Sequence, residues 1–227
     1  MMLLLKDLSL QLNGTKILNG LNLNLNDGEI LGLNGPNGCG KTTTLLTIFG
    51  IYKQRSGHIT LEDACIDELK THERINSGIL FVPQSLHQFW ISCHQRVCGF
   101  TPGITVLANV CEVIKSERRA LKLLKIFGID SIKQSMPAQL SWGQQQRLAI
   151  LRMCAFKPKV LLLDEPFGAI DLPSEKKLKK FIRQYLKENR ISAIYTTSKS
   201  IKTKDFCDRV ISIKDGKIKS LRKQEKL

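Results

Sequence analysis

Short apolar runs bounded by turn-forming residues recur along the chain and predict buried strands. Five such runs lie at residues 30–33, 79–82, 160–163, 191–195 and 210–213. Their apolar character is continuous and does not alternate with polar residues. This pattern predicts a sheet covered on both faces, which is usually a parallel sheet with helical crossovers.

Two segments between these runs carry apolar residues at helical spacing and predict helices with one buried face. The first follows Pro173, a favourable first-turn residue, and has lysines on its opposite face. Its apolar positions are Leu178, Phe181, Ile182, Tyr185 and Leu186. The second spans residues 117–127 and should end at Gly128, because glycine readily adopts the left-handed conformation that terminates helices.

The beginning of the chain has leucines that alternate with polar residues on either side of the turn-like pair Asn13-Gly14. These leucines are Leu8, Leu10 and Leu12 before the turn and Leu21, Leu23 and Leu25 after it. Alternation separates the side chains onto the two faces of a strand. The pattern predicts an antiparallel pair with one face in water.

The composition is that of a soluble globular protein. A chain of 227 residues can form one substantial domain, or one core with an inserted lobe. Hydrophobic residues at 42% and charged residues at 24% argue against a disordered or fibrous protein. The seven cysteines are scattered singly, which favours free thiols in a reducing compartment. No window reaches the about 18 apolar residues of a membrane span, so we expect a cytosolic protein.

The charge balance is strongly basic, with 35 lysines and arginines against 20 aspartates and glutamates and much of the excess late in the chain. A formal charge of +15 is compatible with anionic partners, meaning nucleotides, nucleic acid or an anionic membrane face. A solvated basic surface is the simpler alternative.

A glycine-rich loop follows the first apolar run and precedes a predicted helix at residues 43–49. Residues 35–42, Gly-Pro-Asn-Gly-Cys-Gly-Lys-Thr, fit the phosphate-loop pattern G-x-x-x-x-G-K-[ST] in its strand-to-helix context. Glycines let several backbone N–H groups point inward, and the helix adds its positive end. Lys41 is predicted to reach the β and γ phosphates and the Thr42 hydroxyl to ligate Mg²⁺. The alternative is a glycine-rich turn that only joins strand to helix.

Two adjacent carboxylates, Asp164 and Glu165, follow the apolar run at residues 160–163. Open α/β sheets bind ligands at the carboxyl ends of their strands. Asp164 can hold the Mg²⁺ shell, and Glu165 can polarise a water for attack on the γ phosphate. The alternative is that the two acids cap the following turn.

Further motifs occur in the order in which the ATPase domain of ABC transporters has them, so nearly the whole chain resembles that domain. Gln84 follows Phe-Val-Pro and matches the Q-loop glutamine of that family. Residues 140–144, Leu-Ser-Trp-Gly-Gln, resemble the signature LSGGQ. Residues 164–171, Asp-Glu-Pro-Phe-Gly-Ala-Ile-Asp, match the Walker B and D-loop segments. Residues 208–210 and 215–218 resemble the closing strands.

The resemblance implies an α/β fold of the P-loop NTPase class, with a RecA-like core, an antiparallel β lobe and an inserted α-helical lobe. Residues 1–221 should form a single ABC ATPase domain in which the helical lobe occupies about residues 86–157. Residues 222–227 are expected to form a basic tail.

The resemblance also implies that two such domains dimerise head to tail around two ATP molecules, so that the signature of each chain caps the γ phosphate held by the other. Ser141 and the Gly143 N–H group would form this cap, with the helix dipole adding to it. The implied catalytic residues are Gln84, Glu165 and Ser198, and the implied Mg²⁺ ligands are Thr42, Gln84 and Asp164. The implied ATP-binding residues are Gly35, Pro36, Asn37, Gly38, Cys39, Gly40, Lys41, Thr42, Thr43, Ser141, Gly143, Gln144 and Asp171.

The chain departs from the family at the switch histidine. Aligned without gaps from Glu165 to Asp208, it has Ser198 at that position, and a one-residue slip would place Thr197 there. Neither hydroxyl has the charge or the length of an imidazole. If the missing contact stabilises the transition state by ~2 kcal/mol, its loss slows the reaction roughly thirtyfold. We therefore expect slow hydrolysis with nucleotide binding largely intact.

Two further departures concern bulky side chains near the expected ATP site. Trp142 replaces the first glycine of the signature, a position at which the family is permissive, and should alter packing beside the site. A purely structural tryptophan in a helix-cap turn is the alternative. Leu12 lies where the family has an adenine-stacking aromatic residue, which predicts weaker ATP affinity. An asymmetric partner chain that supplies the better site is a further hypothesis.

An extra segment at residues 86–99 lengthens the stretch that follows Gln84 by roughly ten residues relative to common family members. Its zinc-capable side chains are His87, Cys93, His94 and Cys98. Their spacing matches no standard site, so a loop that faces a permease is the preferred interpretation. Cys39 in the phosphate loop is interpreted as a small residue, although its oxidation would block phosphate.

These observations predict the ATP-binding and ATP-hydrolysing subunit of an ABC transporter. The resemblance implies separate multi-span permease subunits, a homodimer or heterodimer of ATPase subunits, and a peripheral position on the cytoplasmic face of the inner membrane. One alternative is a soluble ABC ATPase that acts on nucleic acid or ribosomes, which a single compact cassette disfavours. Another is a hydrolysis-impaired partner of an active subunit, which Glu165 disfavours.

Overall fold

The computed structural model describes residues 1–84, 100–198 and 205–222, with side chains described through residue 219. Its first sheet is antiparallel, and its strands follow the order β2-β1-β4-β5. These strands are β1 (Leu3–Leu12), β2 (Thr15–Leu25), β4 (Ser56–Leu61) and β5 (Ala64–Cys65).

The second sheet has the order β10-β9-β3-β8-β7-β6. Its strands are β3 (Ile30–Asn34), β6 (Ile79–Val82), β7 (Val160–Asp164), β8 (Ser192–Thr197), β9 (Arg209–Lys214) and β10 (Lys217–Arg222). All neighbouring strands in it are parallel except β10, which pairs antiparallel with β9. The five apolar runs all contribute to this sheet, as predicted.

One predicted strand is displaced along the sequence. The run at residues 191–195 was expected to be the strand, whereas β8 begins at Ser192 and continues to Thr197. The reason is local, because the Ile191 N–H donates to the Leu186 carbonyl and thereby closes the preceding helix. The strand consequently carries two threonines to the edge of the sheet where the phosphate loop begins.

The helices lie between these strands. They are α1 (Lys41–Phe49), α2 (Thr71–Asn76), α3 (Val106–Ile114), α4 (Glu117–Ile126), α5 (Trp142–Ala155) and α6 (Leu172–Glu188). Short 3-10 turns occur at Asp130–Ile132 and Pro137–Gln139. The helix predicted at residues 117–127 is α4, and Gly128 follows it with a φ of 64°, as expected of a terminating glycine.

Two apolar clusters cover the two faces of the parallel sheet, as continuous apolar strands require. Alternate residues of β7 divide between them: Leu161 and Leu163 face the cluster that contains the buried sides of α5 and α6. Val160 and Leu162 face the cluster shared with α1 and the antiparallel sheet. The sheet is therefore the middle layer of the molecule.

The predicted hairpin at the beginning of the chain is formed by β1 and β2. Asn13 and Gly14 join them with φ values of 47° and 80°, as a two-residue hairpin turn requires. The alternating leucines are buried, except for the partly buried Leu12, and Gln11 is exposed between them. One face of this sheet therefore packs on the core, as predicted.

Helices α3, α4 and α5 lie between β6 and β7 in the chain, where the helical lobe was expected. The first part of that lobe, residues 86–99, lies outside the described residues. Strand β10 ends at Arg222, one residue beyond the predicted end of the domain. Within the described ranges, no helix combines the length and the apolar character that crossing a membrane requires.

Candidate active site

The loop between β3 and α1 has a backbone that only glycine fits at several positions. Gly38 and Gly40 have φ values of 78° and 106°, in the region that other residues rarely adopt. A side chain at Gly35 would collide with the Ile213 carbonyl of β9. The loop is thereby held against the neighbouring strand, and its own glycines determine its curvature.

The Lys41 ammonium lies inside this loop. Its Nζ donates to the Gly35 carbonyl at 2.8 Å and to the Pro36 carbonyl at 3.0 Å, and the residue is only 6% exposed. In the described part of the chain, no side chain caps the N-terminus of α1, so the first-turn N–H groups and Lys41 together form a concentration of positive charge. Such a loop is suited to a polyphosphate.

The predicted phosphate-loop residues differ in exposure. Pro36, Asn37, Gly38 and Thr42 are exposed, Gly35 and Thr43 are half-buried, and Cys39, Gly40 and Lys41 are buried. Burial raises the pKa of the Cys39 thiol, which keeps it protonated and poorly reactive at neutral pH. That observation fits the interpretation of Cys39 as a small packing residue.

Asp164 lies at the carboxyl end of β7, beside the start of α1. The Thr42 hydroxyl oxygen is 2.9 Å from Asp164 Oδ2, and the Thr196 hydroxyl donates to Oδ1 at 2.6 Å. Asp164 is 2% exposed, and this burial raises its pKa, although the two threonine hydrogen bonds oppose the shift. The hydroxyl and carboxylate oxygens that meet here are the donor atoms that Mg²⁺ prefers.

Glu165 follows at the mouth of the same site. Its φ of 41° is unusual for a residue other than glycine, and its N–H donates to the Thr196 hydroxyl at 3.1 Å. Ser198 Oγ lies 3.4 Å from Glu165 Oε2 and is exposed, whereas Thr197 is buried. Of the two residues considered for the switch position, Ser198 is therefore the one exposed beside the carboxylate.

Gln84 and Glu165 line one cavity of about 460 Å³ together with Trp142, Gln146, Gly168 and Ala169. Gln146 Nε2 donates to the Pro83 carbonyl at 3.1 Å and so fixes the backbone that presents Gln84. The segments that contain Gln84 and Gln146, more than sixty residues apart in the chain, thus meet around Glu165, whose carboxylate was predicted to polarise water.

The signature residues form the N-terminus of α5. Ser141 Oγ accepts from the Gln144 N–H at 3.4 Å, and Gln144 Oε1 accepts from the Ser141 N–H at 2.9 Å. This reciprocal cap satisfies two of the free donors at the helix start. A Cβ on Gly143 would lie 2.7 Å from the Ala169 carbonyl, so glycine is required there by packing inside the chain.

No hydrogen bond among the described residues joins Ser141, Gly143 or Gln144 to the phosphate loop of the same chain. Trp142, the departure in this motif, is 54% exposed and lies at the rim of the cavity that contains Glu165. The arrangement agrees with the expectation that the indole alters packing beside the site.

Asp171, predicted to bind ATP, has contacts within its own chain. Its Oδ2 accepts from the Ser174 N–H at 3.0 Å at the start of α6, and its Oδ1 lies 3.2 Å from Arg147 Nη2. The hydrogen bond from the Ser174 backbone lowers the pKa of the Asp171 carboxyl. The carboxylate therefore ties the D-loop to the signature helix.

Sequence reasoning overlooked Thr196, Gln146 and Arg147. Each contacts a predicted site residue or its neighbour, but across 24 to 63 positions of sequence. The available signal was a polar residue in an otherwise apolar run, since Thr196 follows the buried Ala193, Ile194 and Tyr195. The pattern identified the strand, but it did not identify the residue that the hydroxyl would contact.

Residues 18–168 match the family model described as ABC transporter. The chain is 34% identical over 209 residues to the sulfate/thiosulfate import ATP-binding protein CysA of Shigella flexneri, an alignment that covers 90% of this chain and 55% of that protein. It is 32% identical over 213 residues to the lipopolysaccharide export system ATP-binding protein LptB of Escherichia coli, covering 93% of this chain and 86% of LptB. The chain thus spans about half the length of the sulfate/thiosulfate relatives.

Solved structures resemble the whole chain. A dimeric ATP-binding cassette, MJ0796, in a post-hydrolysis state bound to ADP and Pi is 26% identical, with a TM-score of 0.80 and full coverage of both chains. Another is cbiO1 of Clostridium perfringens, described as part of the ABC transporter complex cbiONQ. It is 27% identical with a TM-score of 0.78, and the match covers 97% of this chain and 87% of cbiO1.

Proposed function

Because the chain belongs to the ABC transporter family, we propose that it is an ATP-binding and ATP-hydrolysing subunit that drives transport through separate membrane subunits. One observation carries the proposal: the mouth of the phosphate loop brings together Thr42, Asp164 and Thr196, with Glu165 alongside. Hydrolysis of a nucleoside triphosphate requires three components, and all are present here. They are a loop that binds the polyphosphate, oxygen ligands for a metal ion, and a carboxylate beside them.

Thr42 and Asp164 would hold Mg²⁺, with Gln84 as the further predicted ligand. Bound there, the ion neutralises charge on the β and γ phosphates. Lys41 would exchange its bonds to loop carbonyls for bonds to these phosphates. Glu165 would accept a proton from the attacking water, which Gln84 helps to orient in the cavity they share.

Ser141 and Gly143 would act on the ATP of a second chain. Support comes from their position at the positive N-terminal end of α5 and from the lack of hydrogen bonds, among the residues described, with their own phosphate loop. The resemblance to a cassette that forms a dimer supports the same arrangement. Either a homodimer or a heterodimer meets this requirement.

We propose that the membrane subunits are multi-span permeases and that the chain binds them at the cytoplasmic face of the membrane. The names of the relatives support this assignment, since they describe ATP-binding components of one import system and one export system.

Hydrolysis should be slow because Ser198 stands where the family has histidine. Its hydroxyl, 3.4 Å from the Glu165 carboxylate, has neither the length nor the charge to contact a γ phosphate as an imidazole does. We expect the serine at this position to leave ATP binding largely intact, since the phosphate loop retains its full set of residues; the weaker affinity predicted from Leu12 is a separate effect.

The proposal is tested with Glu165→Gln. This variant should bind ATP but hydrolyse it too slowly to separate the dimer, so sedimentation or light scattering should detect a dimer in ATP and a monomer in ADP. Glu62→Gln, at an exposed hairpin turn, is the matched control and should behave like the parent protein. If the parent protein shows no ATP hydrolysis and Glu165→Gln shows no ATP-dependent dimer, the proposed function is wrong.

A further inference from the structure

Three side chains that commonly bind transition metals converge on the antiparallel sheet, outside the nucleotide site. They are His58 in β4, Cys65 in β5 and Asp67 just after β5. Their imidazole nitrogen, thiol sulfur and carboxylate oxygen all lie within 4.8 Å of one another. No other group of three or more such donors is brought together in the residues that the structure describes.

The hairpin between β4 and β5 holds these residues in a defined register. Glu62 and Asp63 form its turn with φ values of 47° and 68°, as a tight two-residue connection requires. Cys65 pairs with Thr60, which makes it a diagonal neighbour of His58 on the same face. The short turn therefore determines the separation of the two side chains.

The Asp67 carboxylate is oriented before any ligand binds. Its Oδ1 accepts from the Ile59 N–H at 2.7 Å, and its Oδ2 is 2.8 Å from His58 Nδ1. The side chain is 14% exposed, whereas that of His58 is 71% exposed. One ligand is thus fixed by the backbone, while the imidazole and the thiol can adjust.

We propose that His58, Cys65 and Asp67 form a binding site for a divalent cation of the zinc class. Imidazole, thiolate and carboxylate are the three kinds of protein ligand that zinc accepts, and water can fill the fourth position of a tetrahedral site. From zinc bond lengths, donor atoms in such a site lie about 3.5 Å apart. The present separations therefore need a movement of about 1 Å by exposed side chains.

Binding of a divalent cation at this site leaves no net charge on the metal and its three protein ligands. In the metal-free protein the His58 Nδ1–H group donates to the Asp67 carboxylate, so on metal binding the imidazole must change to the tautomer protonated on Nε2, which frees the Nδ1 lone pair. The Cys65 thiol releases its proton to solvent. The thiolate and carboxylate together neutralise the divalent charge. The nearby Arg74 guanidinium opposes the cation, but it is buried and donates to backbone carbonyls of Thr47, Ile48, Leu69 and Asp67.

Arg74 also connects this site to the phosphate-loop helix. Its Nη2 donates to the Asp67 carbonyl at 3.1 Å, and its Nη1 donates to the carbonyls of Thr47 and Ile48 near the C-terminus of α1. A metal bound by the Asp67 carboxylate would restrain the Asp67 backbone, whose carbonyl accepts a hydrogen bond from Arg74. Zinc should consequently stabilise the folded protein, because it binds a site that the unfolded chain lacks.

The test is titration of the reduced, untagged full-length chain with Co²⁺, followed by competition with Zn²⁺. The background variant carries His87→Asn, Cys93→Ser, His94→Asn and Cys98→Ser, so that those zinc-capable residues cannot contribute. We expect one equivalent of Co²⁺ to bind with a thiolate-to-cobalt charge-transfer absorption that Zn²⁺ abolishes. Zn²⁺ should also raise the melting temperature.

Matched substitutions assign the ligands. In the same background, Cys65→Ser should remove the charge-transfer absorption. His58→Asn and Asp67→Asn should each weaken binding by at least the roughly 10–100-fold that loss of an outer-shell partner costs. The controls are His72→Asn and Cys111→Ser, which alter the same residue types outside the cluster and should leave binding unchanged.

Absence of stoichiometric cobalt binding in the background variant, or retention of the thiolate-to-cobalt charge-transfer absorption in Cys65→Ser, would overturn the proposal. Either result concerns the metal alone, so ATP binding and hydrolysis by the same preparations test the nucleotide function separately.

Discussion

Asp164 is a carboxylate held almost out of water, and its neighbours determine what it can do. Two hydroxyls, of Thr42 and Thr196, contact it, while its burial raises its pKa. A buried charge of this kind destabilises a protein unless a cation accompanies it. The carboxylate that the proposed Mg²⁺ site requires should therefore lower the stability of the nucleotide-free protein.

Asp164→Asn should stabilise the nucleotide-free protein by about 1 kcal/mol, or about 2–4 °C in melting temperature. Asparagine keeps an acceptor for Thr196 and presents a donor to Thr42, but it carries no charge to desolvate. The same variant should lose the additional stabilisation that Mg²⁺ gives to ATP binding. Thermal unfolding with and without Mg²⁺ and ATP measures both effects.

The increase in the free energy of unfolding caused by Asp164→Asn should be larger at high pH than at low pH. Because the folded-state pKa of Asp164 is raised, the folded protein retains its proton more strongly than the unfolded chain does. The charge penalty is absent below the unfolded-state pKa and fully present above the folded-state pKa. The difference in stability between the Asp164→Asn variant and the parent protein should therefore shrink as the pH falls through this window. A difference that grew at low pH would contradict the assignment.

Ser198→His should accelerate ATP hydrolysis about thirtyfold if the imidazole restores a contact of ~2 kcal/mol with the γ phosphate. Ser198 is exposed beside Glu165, so a larger side chain can be accommodated. The measurements are kcat and ATP affinity in purified protein. Ser131→His, at an exposed serine in the 3-10 turn Asp130–Ile132, is the control and should leave turnover unchanged. If the Ser198→His variant and the parent protein hydrolyse ATP at the same rate, Ser198 does not occupy the position of the switch histidine.

At the scale of elements, the signature helix α5 and the D-loop form one packed unit. Gly143 lies against the Ala169 carbonyl, and Arg147 pairs with Asp171 at the start of α6. The α5 residues that we propose to face a partner chain are therefore coupled to the segment that follows Glu165. Packing of this kind can transmit a shift at one position to the other, because close-packed interiors deform little.

Gly143→Ala should destabilise the protein by about 1–3 kcal/mol, because its Cβ would lie 2.7 Å from the Ala169 carbonyl and one segment must move. Gly168→Ala in the same loop is the matched control. Its Cβ would lie 3.6 Å from the Glu165 carbonyl, an ordinary contact, so the change should stay within about 0.5 kcal/mol. Urea denaturation compares the two. Equal losses in both variants would show that the close approach at Gly143 does not limit stability.

At the scale of the molecule, the phosphate loop lies where the two layers of strands meet. The parallel sheet supplies β3, β7 and β8, and a side chain at Gly40 would contact Leu18 of the antiparallel sheet. The loop residue Cys39 and its neighbours Leu18 and Ile213 all belong to the apolar cluster that the two sheets share. Nucleotide bound there should stabilise the whole domain and not only the loop.

ATP with Mg²⁺ at about 100 times its dissociation constant should stabilise the protein by about 2.7 kcal/mol, or roughly 5–10 °C. Lys41→Ala should lose most of this shift, since it removes the cation inside the loop. Lys53→Ala changes an exposed lysine paired with Glu68 and should retain the shift. A full ATP-dependent shift in Lys41→Ala would show that this lysine is not needed for binding.

The sequence by itself determined five strands of the parallel sheet, the hairpin at the beginning of the chain, the helices that follow Gly40, Ser116 and Asp171, and the two chemical motifs. Runs such as residues 160–163 and the alternation around Asn13 and Gly14 depend on neighbours a few positions away, so local pattern specifies them. The phosphate loop is likewise one continuous segment, and its glycines mark the positions at which the backbone has a positive φ or approaches a neighbouring strand closely. The boundaries of β8 were displaced, because a hydrogen bond closing α6 governs where that strand begins.

The tertiary structure decided which distant side chains meet. Thr196 reaches Asp164 because β7 and β8 are adjacent in the sheet, and Gly143 is required by the Ala169 carbonyl of another segment. His58, Cys65 and Asp67 converge because a two-residue turn sets the strand register. Such contacts depend on strand order and register, and a local hydrophobic pattern contains neither, since the same pattern is compatible with many pairings.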